Sequence, residues 1–567
     1  MNITNFLKEF NLPFPLFVLS TIPFLFFIII KQTKSLPSKS SKNLPPGPPK
    51  LPIIGNLHQV GNKPHVSTAN IAREYGPLIS LRLGKQLVVI ASTPKAAMGI
   101  LKTQDRFLSA RVVPTAFQQP SLIPHSLIWS ECNETWKNLR TLCRTEMFST
   151  KALEAQSILR EEKIGHMLEF LHNKQGEVIN IEDVVFTTLF NTLSSIIFAK
   201  DLIDLKDDYG GSNELKATLH KIIEFGGRVI DFGSFFPILE RFDLHGIRKG
   251  TLKLYSKAFS HWEYIIDERR SQVNSSTWSS EQAHTFVDRL LENGFSNNQI
   301  HQLVTAFQEF WICYFAAQIG NLPGLNGDFG IRPKFYISWL IFFFCDFRRR
   351  PCLQSQFSNE TDLLCLQELF IAGTNTTTSI VVWVMSELVR HQEIMLKIDN
   401  EMKKEIKSDK INSSHLSRLP YLQACIKEAM RLHPPVPLLL PHMATDTCEV
   451  MGYTIPKNTK VFLNLWAMGR DPNVWDDPFS FNPERFMVTK LDFKGQDFEL
   501  LPFGSGRRMC PGLPSGIKSI EFILVSLIHE FTWVLPDGVD RSKLNMDSKF
   551  GIAMNRETPL ELIFKRK

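Results

Sequence analysis

Paired cysteines are missing from this chain. Its nine cysteines are scattered over 567 residues without a C-x-x-C pair, which argues against a zinc finger or a disulfide framework and suits a reducing compartment. A strong charge imbalance is missing too. The formal net charge is +7, and no basic run with interleaved aromatics occurs outside the lysines of residues 31–42, so nucleic acid is excluded as a partner. The 33 prolines and 30 glycines are spread along the whole chain, and no internal repeat suggests a solenoid.

What is present first is an apolar run. Leu12 to Ile30 gives nineteen positions without a charge, nearly enough at about 1.5 Å per residue to cross a hydrocarbon core. Pro13, Pro15 and Pro23 weaken a helix there but are tolerable in a membrane. Lys31, Lys34, Lys39 and Lys42 follow directly, and positive charge after a first span keeps the rest of the chain cytoplasmic. A cleaved signal peptide is the competing reading, but the run is long for its apolar region and the lysine-rich flank lacks a small-residue cleavage site. Residues 1–30 are therefore expected to be a membrane anchor and 31–50 a basic, proline-rich linker. Leu44-Pro45-Pro46-Gly47-Pro48-Pro49 would be a stiff extended spacer between anchor and globule, and 51–567 the globular domain.

Within that domain the patterning is mostly helical. Amphipathic stretches fill much of 150–300 and 380–435. One sheet element stands out: Leu78 to Leu83 alternates, Gly84-Lys85 turns, and Leu87 to Ile90 returns as a hairpin. Periodicity by itself gives a large α-rich protein.

The chemistry concentrates near the carboxyl end, in Pro502-Phe503-Gly504-Ser505-Gly506-Arg507-Arg508-Met509-Cys510-Pro511-Gly512. Gly504, Gly506 and Gly512 allow amide N–H groups to approach a thiolate at Cys510. Phe503 can cover the sulfur, and Arg507 and Arg508 supply cations that favour the thiolate or neutralise an anionic cofactor. Cys510 is thus the candidate metal ligand. Glu428 and Arg431 lie three apart and share a helical face, with Pro483-Glu484-Arg485-Phe486 following. Trp136 and Arg140 lie four apart on another helical face. Finally, Ala372-Gly373-Thr374-Asn375-Thr376-Thr377 places glycine, hydroxyls and an amide inside an apolar helix. Such a polar cluster needs partners, supplied either by backbone carbonyls or by ligand and water.

Together these motifs resemble the cytochrome P-450 superfamily: F-x-x-G-x-R-x-C-x-G, E-x-x-R, P-E-R-F, W-x-x-x-R and A-G-x-[D/E]-T-[T/S], in family order over nearly all of the chain from Leu44 onward. The resemblance implies a mainly α fold with small β-sheets and haem b held by the Cys510 thiolate, which favours O–O cleavage. It implies that Trp136, Arg140, Arg508 and His442 hold the haem propionates, and that Phe503 and Gly506 shape the cofactor loop. Glu428, Arg431 and Arg485 would form a buried ionic cluster behind the haem. Gly373, Asn375 and Thr376 would serve oxygen activation, Thr376 relaying protons. Asn375 departs from the family's carboxylate, and an amide orients water without readily exchanging a proton. Electrons would come from NADPH through a flavoprotein reductase, with Lys137, Arg144, Arg507 and Lys518 as a basic docking face. The product would be an oxygenated apolar small molecule, its contacts drawn from 112–123, Val436 to Leu440 and Gly551 to Met554. Among branches, the likeness is to plant microsomal hydroxylases of terpenoid and alkaloid specialised metabolism, anchored in the endoplasmic reticulum with the catalytic domain in the cytosol. It leaves hydroxylation, phenol coupling and rearrangement open.

One stretch does not fit. From about Ala306 to Leu366 neither helical nor strand period is sustained, between a helix start at Ser296 to Ile300 and the Glu368 to Gly373 run that the resembling family keeps nearly contiguous. Translated non-coding sequence, such as a retained intron, is the expectation. A second span at Tyr336 to Cys345 is the alternative, short for a membrane. Splitting a buried helix in this way raises a further reading, an inactive haem protein or a misfolded product.

Overall fold

The structure is a computed structural model, and it describes residues 43–114, 123, 126–205, 214–226, 235–236, 243, 246–273, 285–286, 360–407 and 411–567. The expected anchor, the Ser296 helix start, the Tyr336 to Cys345 run, most of the 112–123 loop and residues 306–359 lie outside the described residues.

Helix α1 (Pro64–Tyr75) precedes strands β1 (Leu78–Leu83) and β2 (Gln86–Ala91). These pair antiparallel with Leu78 opposite Ala91 and Leu83 opposite Gln86. This is the hairpin read from the alternation, and Gly84 turns it at φ 58°. After β3 (Ala110–Arg111) come α2 (Glu134–Glu146), α3 (Ser157–Asn173), β4 (Val178–Asn180) and α4 (Ile181–Phe198). Local chemistry sets several of these starts. Asn133 accepts the Trp136 N–H at 2.9 Å and caps α2. Asn180 caps α4, with Glu182 and Asp183 in its first turn where the helix dipole favours acid. Helices α5 (Glu214–Gly226) and α6 (Ile247–Val273) follow.

The longest element among the described residues is α7 (Glu360–Arg390), 31 residues or about 46 Å at the helical rise. Its first seven residues, 360–366, fall inside the stretch expected to lack periodic structure, so the helix starts earlier than the pattern suggested. The first turns are too short in sequence to show a 3.6 period before the apolar run begins. Then come α8 (Gln392–Glu405), α9 (Pro420–Leu432), β5 (His442–Met443), β6 (Lys460–Leu463), α10 (Leu513–Glu530), β7 (Phe531–Val534) and β8 (Glu561–Arg566). A five-stranded sheet runs β1-β2-β6-β5-β3, with β2 and β6 parallel and the other pairs antiparallel. A three-stranded antiparallel sheet runs β4-β8-β7.

The core sits around α7. Ile380, Val381, Val384, Met385 and Leu388 pack with Val184 and Leu189 of α4, Ile426 and Met430 of α9, and Ile523 and Leu527 of α10. Gly373 is what lets α4 approach so closely, because a Cβ there would stand 2.8 Å from Leu193 Cδ1. Among the described residues two helical stretches, α4 and 368–390, are long and apolar enough to cross a membrane, and both are mostly buried inside the protein.

The proline-rich segment, expected as a stiff extended spacer, lies against the globule from Asn43 onward. Pro46 O accepts the Ser80 N–H at 2.8 Å, Pro45 O accepts the Ser80 hydroxyl at 2.6 Å, and Asn56 Nδ2 donates to Pro49 O at 3.1 Å. Thr454 N–H donates to Asn43 O at 2.8 Å. The segment is therefore docked beside β1. Proline has no N–H to donate, so Pro45 and Pro46 meet the strand edge through their carbonyls alone.

Candidate active site

The Cys510 loop is held by its own backbone. Cys510 N–H donates to Phe503 O at 2.9 Å, and Gly504 N–H to Leu501 O at 2.9 Å. Gly504 and Gly506 both sit at φ 69°. Gly506 also has no room for a side chain, since a Cβ would stand 2.4 Å from Leu101 O. Phe503 is half-buried, its ring 5.7 Å from that of Phe493. The Cys510 side chain is accessible although protein surrounds it on most sides. Burial pushes its thiol up, opposed by the Gly512 N–H, the Arg140 guanidinium and the Leu513 N–H. Leu513 is also the first residue of α10, so that helix's amino end lies beside the sulfur, an arrangement that favours negative charge there.

Around this loop stand cations. Trp136 is stacked by two of them, Arg140 Cζ at 5.3 Å and Arg508 Cζ at 4.7 Å from its ring. Its indole N–H, expected to face a propionate, instead donates to Leu127 O at 2.9 Å. A buried N–H takes the nearest carbonyl, so Trp136 offers these cations a π face and leaves no donor over. Arg140 Nη2 donates to Met509 O. Arg508 donates from Nε to Ser109 O at 2.8 Å and from Nη2 to Ser130 O, and its Nη1 is buried without a partner among the described residues. His442 is buried, and its Nδ1 lies 2.6 Å from Leu108 O. Burial, and then Arg111 beside it, hold its ring well below the ordinary histidine value.

Arg111 is the residue that sequence reasoning missed. It pairs directly opposite His442 across β3 and β5 and donates from Nη1 to Leu440 O at 2.6 Å. Its Nε is buried without a partner among the described residues. Burial, then Arg508, push it down to about 9. A lone arginine in Leu108-Ser109-Ala110-Arg111 carries no spacing signal, and only the sheet register reveals it. Arg508 and Arg140 both push Arg111 down, and Arg111 and Arg508 keep unspent buried N–H groups among the described residues, a cluster that calls for an anion.

Behind the loop the structure brings Glu428, Arg431 and Arg485 together. Arg431 forks onto Glu428 with both bonds at 2.7 Å, and Arg485 Nε adds a third at 3.1 Å. Arg431 also donates to Pro478 O at 2.8 Å and Ser480 O at 3.0 Å. On the other side, α7 crosses α10 so that Thr377 Oγ1 would lie 4.0 Å from a Cβ at Gly516. The hydroxyls of α7 turn largely to backbone: Thr374 to Phe370 O and Thr376 to Ala372 O, both at 2.6 Å, and Ser379 to Met554 O at 2.8 Å. Thr376 thus spends its only proton on Ala372 and can only accept as it stands. Asn375 is buried, its Oδ1 3.5 Å from Asn555 Nδ2 and its own Nδ2 without a partner among the described residues. Of the four cations read as a docking face, Lys137 pairs with Glu134 at 2.5 Å and Arg507 with Asp105 at 2.9 Å, while Arg144 is exposed.

A single thiol met by two amides at a helix start, beside an unsatisfied arginine cluster, defines a site for an anionic metal cofactor with one thiolate ligand. The cytochrome P-450 family model matches residues 45–308 and 343–564, and the chain belongs to that family, haem-thiolate monooxygenases supplied with NADPH electrons by a reductase. It is 40% identical over 548 residues to the probable (S)-N-methylcoclaurine 3'-hydroxylase isozyme 2 of Coptis japonica, covering 97% of each chain. Corytuberine synthase of Coptis japonica is 36% identical, covering 98% of this chain and 100% of that one. Geraniol 8-hydroxylase of Swertia mussotii is 34% identical, covering 96% and 98%. The fold is shared with a zebra fish cytochrome P-450 solved with abiraterone, at a TM-score of 0.64 and 20% identity over 89% of this chain and 100% of that one. The residues present fit haem: Cys510 for the iron, and Arg111, Arg140 and Arg508 for the carboxylates.

Proposed function

We propose that this chain is a membrane-anchored hydroxylase of the endoplasmic reticulum whose substrate is an apolar plant metabolite of the benzylisoquinoline alkaloid or terpenoid kind. The observation that carries the reading is the Cys510 loop with its arginine cluster, in a chain whose relatives over nearly full length are named as hydroxylases of such compounds. Haem bound at Cys510 supplies the insertion of one oxygen atom from O2. The protein's own part is positioning. Val113, Leu440 and Ile552 pack beside α4 and α7 and supply the apolar wall, and Met554 is fixed by its N–H to Pro435 O at 2.7 Å.

The test is expression of the chain in membranes with a reductase and NADPH, offered (S)-N-methylcoclaurine and geraniol as probes. A hydroxylated product, or a substrate-induced shift of the haem spectrum with either probe, supports the reading. A thiolate-ligated haem that responds to neither class removes the substrate assignment.

Asn375 bears on efficiency. Thr376 can only accept and Asn375 is an amide, so proton supply along this face of α7 falls to water. Asn375→Asp keeps an acceptor for Asn555 Nδ2 and adds an exchangeable proton. The expected result is a larger share of NADPH electrons recovered as product and less as peroxide, read as the product-to-NADPH ratio.

The family match leaves 309–342 between its two parts, narrower than the 306–366 read from periodicity. We read that stretch as translated non-coding sequence, and a dominant message carrying it in frame would overturn this. An inactive product has no support in the comparisons.

A further inference from the structure

Glu368 is a buried carboxylate that the reading above leaves unused. It stands on α7 about two turns before Thr376 and is 6% exposed. Its Oε2 accepts the N–H groups of Leu127 at 2.8 Å and Ile128 at 3.3 Å, and its Oε1 accepts the Ser126 hydroxyl. Ser126 Oγ in turn accepts the N–H groups of Ile128 at 3.1 Å and Trp129 at 2.6 Å. Residues 126–130 are therefore wound around one carboxylate. On its far side this segment meets the cofactor residues, since Leu127 O takes the Trp136 indole N–H and Ser130 O takes Arg508 Nη2.

We propose that Glu368 is a positioning residue: as a carboxylate it holds residues 126–130 in the form that fixes Trp136 and Arg508, and protonation releases them. An ionised carboxyl only accepts, and here it meets three donors. A protonated one must also donate, and the oxygen nearest to receive that proton, Ser126 Oγ, already accepts two N–H groups. On α6, Tyr255 lies within reach of the Glu368 charge, which adds to burial in holding the phenol proton in place. From α4, Phe190 stands against Phe370 at 4.7 Å and Leu193 against Gly373. Among the described residues no lysine, arginine or histidine forms an ion pair with Glu368. Burial accordingly pushes its carboxyl up to about 7, against the pull of the Ser126 hydroxyl and the Ile128 and Leu127 N–H groups.

Two consequences run in opposite directions. The folded value lies above the ordinary 4.5, so the unfolded chain gives up this proton first, and this group's contribution to global stability falls as pH rises from about 4.5 to about 7. Local order of 126–130 rises as pH passes through 7, because the carboxylate is the form that accepts all three donors.

Hydrogen exchange of the full haem-loaded chain at pH 6, 7 and 8, corrected for intrinsic rates, separates these. Protection of the Leu127 and Ile128 amides is expected to fall roughly tenfold from pH 8 to pH 6, following the carboxylate fraction, while amides in α10 keep theirs. In Glu368→Gln protection at 127 and 128 should be low and flat with pH. Wild-type protection that ignores pH overturns the proposal whether or not the variant folds, and so does a glutamine variant with wild-type protection. The consequence for the cofactor rests on the haem reading, but the exchange readout does not. Loss of the thiolate haem spectrum with normal exchange would refute that reading alone.

Discussion

Cys510→Ser is expected to abolish the red-shifted Soret band of the reduced carbon monoxide complex and all monooxygenase turnover. The reason lies in how the loop is built around sulfur. Gly512 and Leu513 direct N–H groups at the atom, and Arg140 adds a cation, which together oppose in part the upward push that the surrounding protein gives the thiol. A serine hydroxyl stays protonated at neutral pH and cannot supply the same electron density to iron. The chain itself should fold, because the Cys510 side chain is accessible and the loop is fixed by backbone bonds and by Gly504 and Gly506, none of which needs the sulfur. Unfolding of the cofactor-free protein is thus expected to change by about 1 kcal/mol or less. A thiolate-type band surviving in the serine variant would reassign the ligand.

Arg431→Ala is expected to remove folded, haem-loaded protein altogether. Glu428 and Arg431 are fully buried, and Glu428 also accepts the N–H of Asn482 at 2.8 Å. Truncating the arginine leaves a buried carboxylate with only Arg485 beside it and frees the carbonyls of Gly469, Pro478 and Ser480. Breaking a buried pair from one side costs about 3–5 kcal/mol, a large part of the 5–15 kcal/mol or so that holds a domain together. Arg431→Lys keeps the charge but not the fork, and should fall between the two. Denaturant midpoints and haem-loaded yield give the answer, and an alanine variant with wild-type values for both would show that the cluster is dispensable.

What could be read in advance follows from where each residue's partner lies. Cys510, Glu428 with Arg431, and the β1–β2 hairpin find their partners within a few residues, so their spacing carries the information. Arg111 and Glu368 find theirs 331 and 240 or more positions away, across β3–β5 and between α7 and the 126–130 segment. No local pattern marks such a residue, because a buried charge is defined by what surrounds it. Trp136 shows the same limit in a milder form: its helical face was legible, whereas the carbonyl that takes its N–H was not. The proline-rich stretch was legible as extended, but composition says nothing about the strand beside which an extended chain lies down.

The unbroken helix from Glu360 to Arg390 carries Glu368, Thr376, Ser379 and Trp383 on one shaft, and this sorts length changes in the gene into two kinds. Each residue added within the shaft turns everything beyond it by about 100° and advances it by about 1.5 Å, so a single codon gained between Glu368 and Thr376 would put the two out of phase. Residues gained before Glu360 leave that phase untouched, whatever their number. In-frame length changes therefore keep these four residues in phase on one side of Glu360 and break their phase on the other, and the stretch left unmatched by the family, 309–342, falls on the side that keeps it.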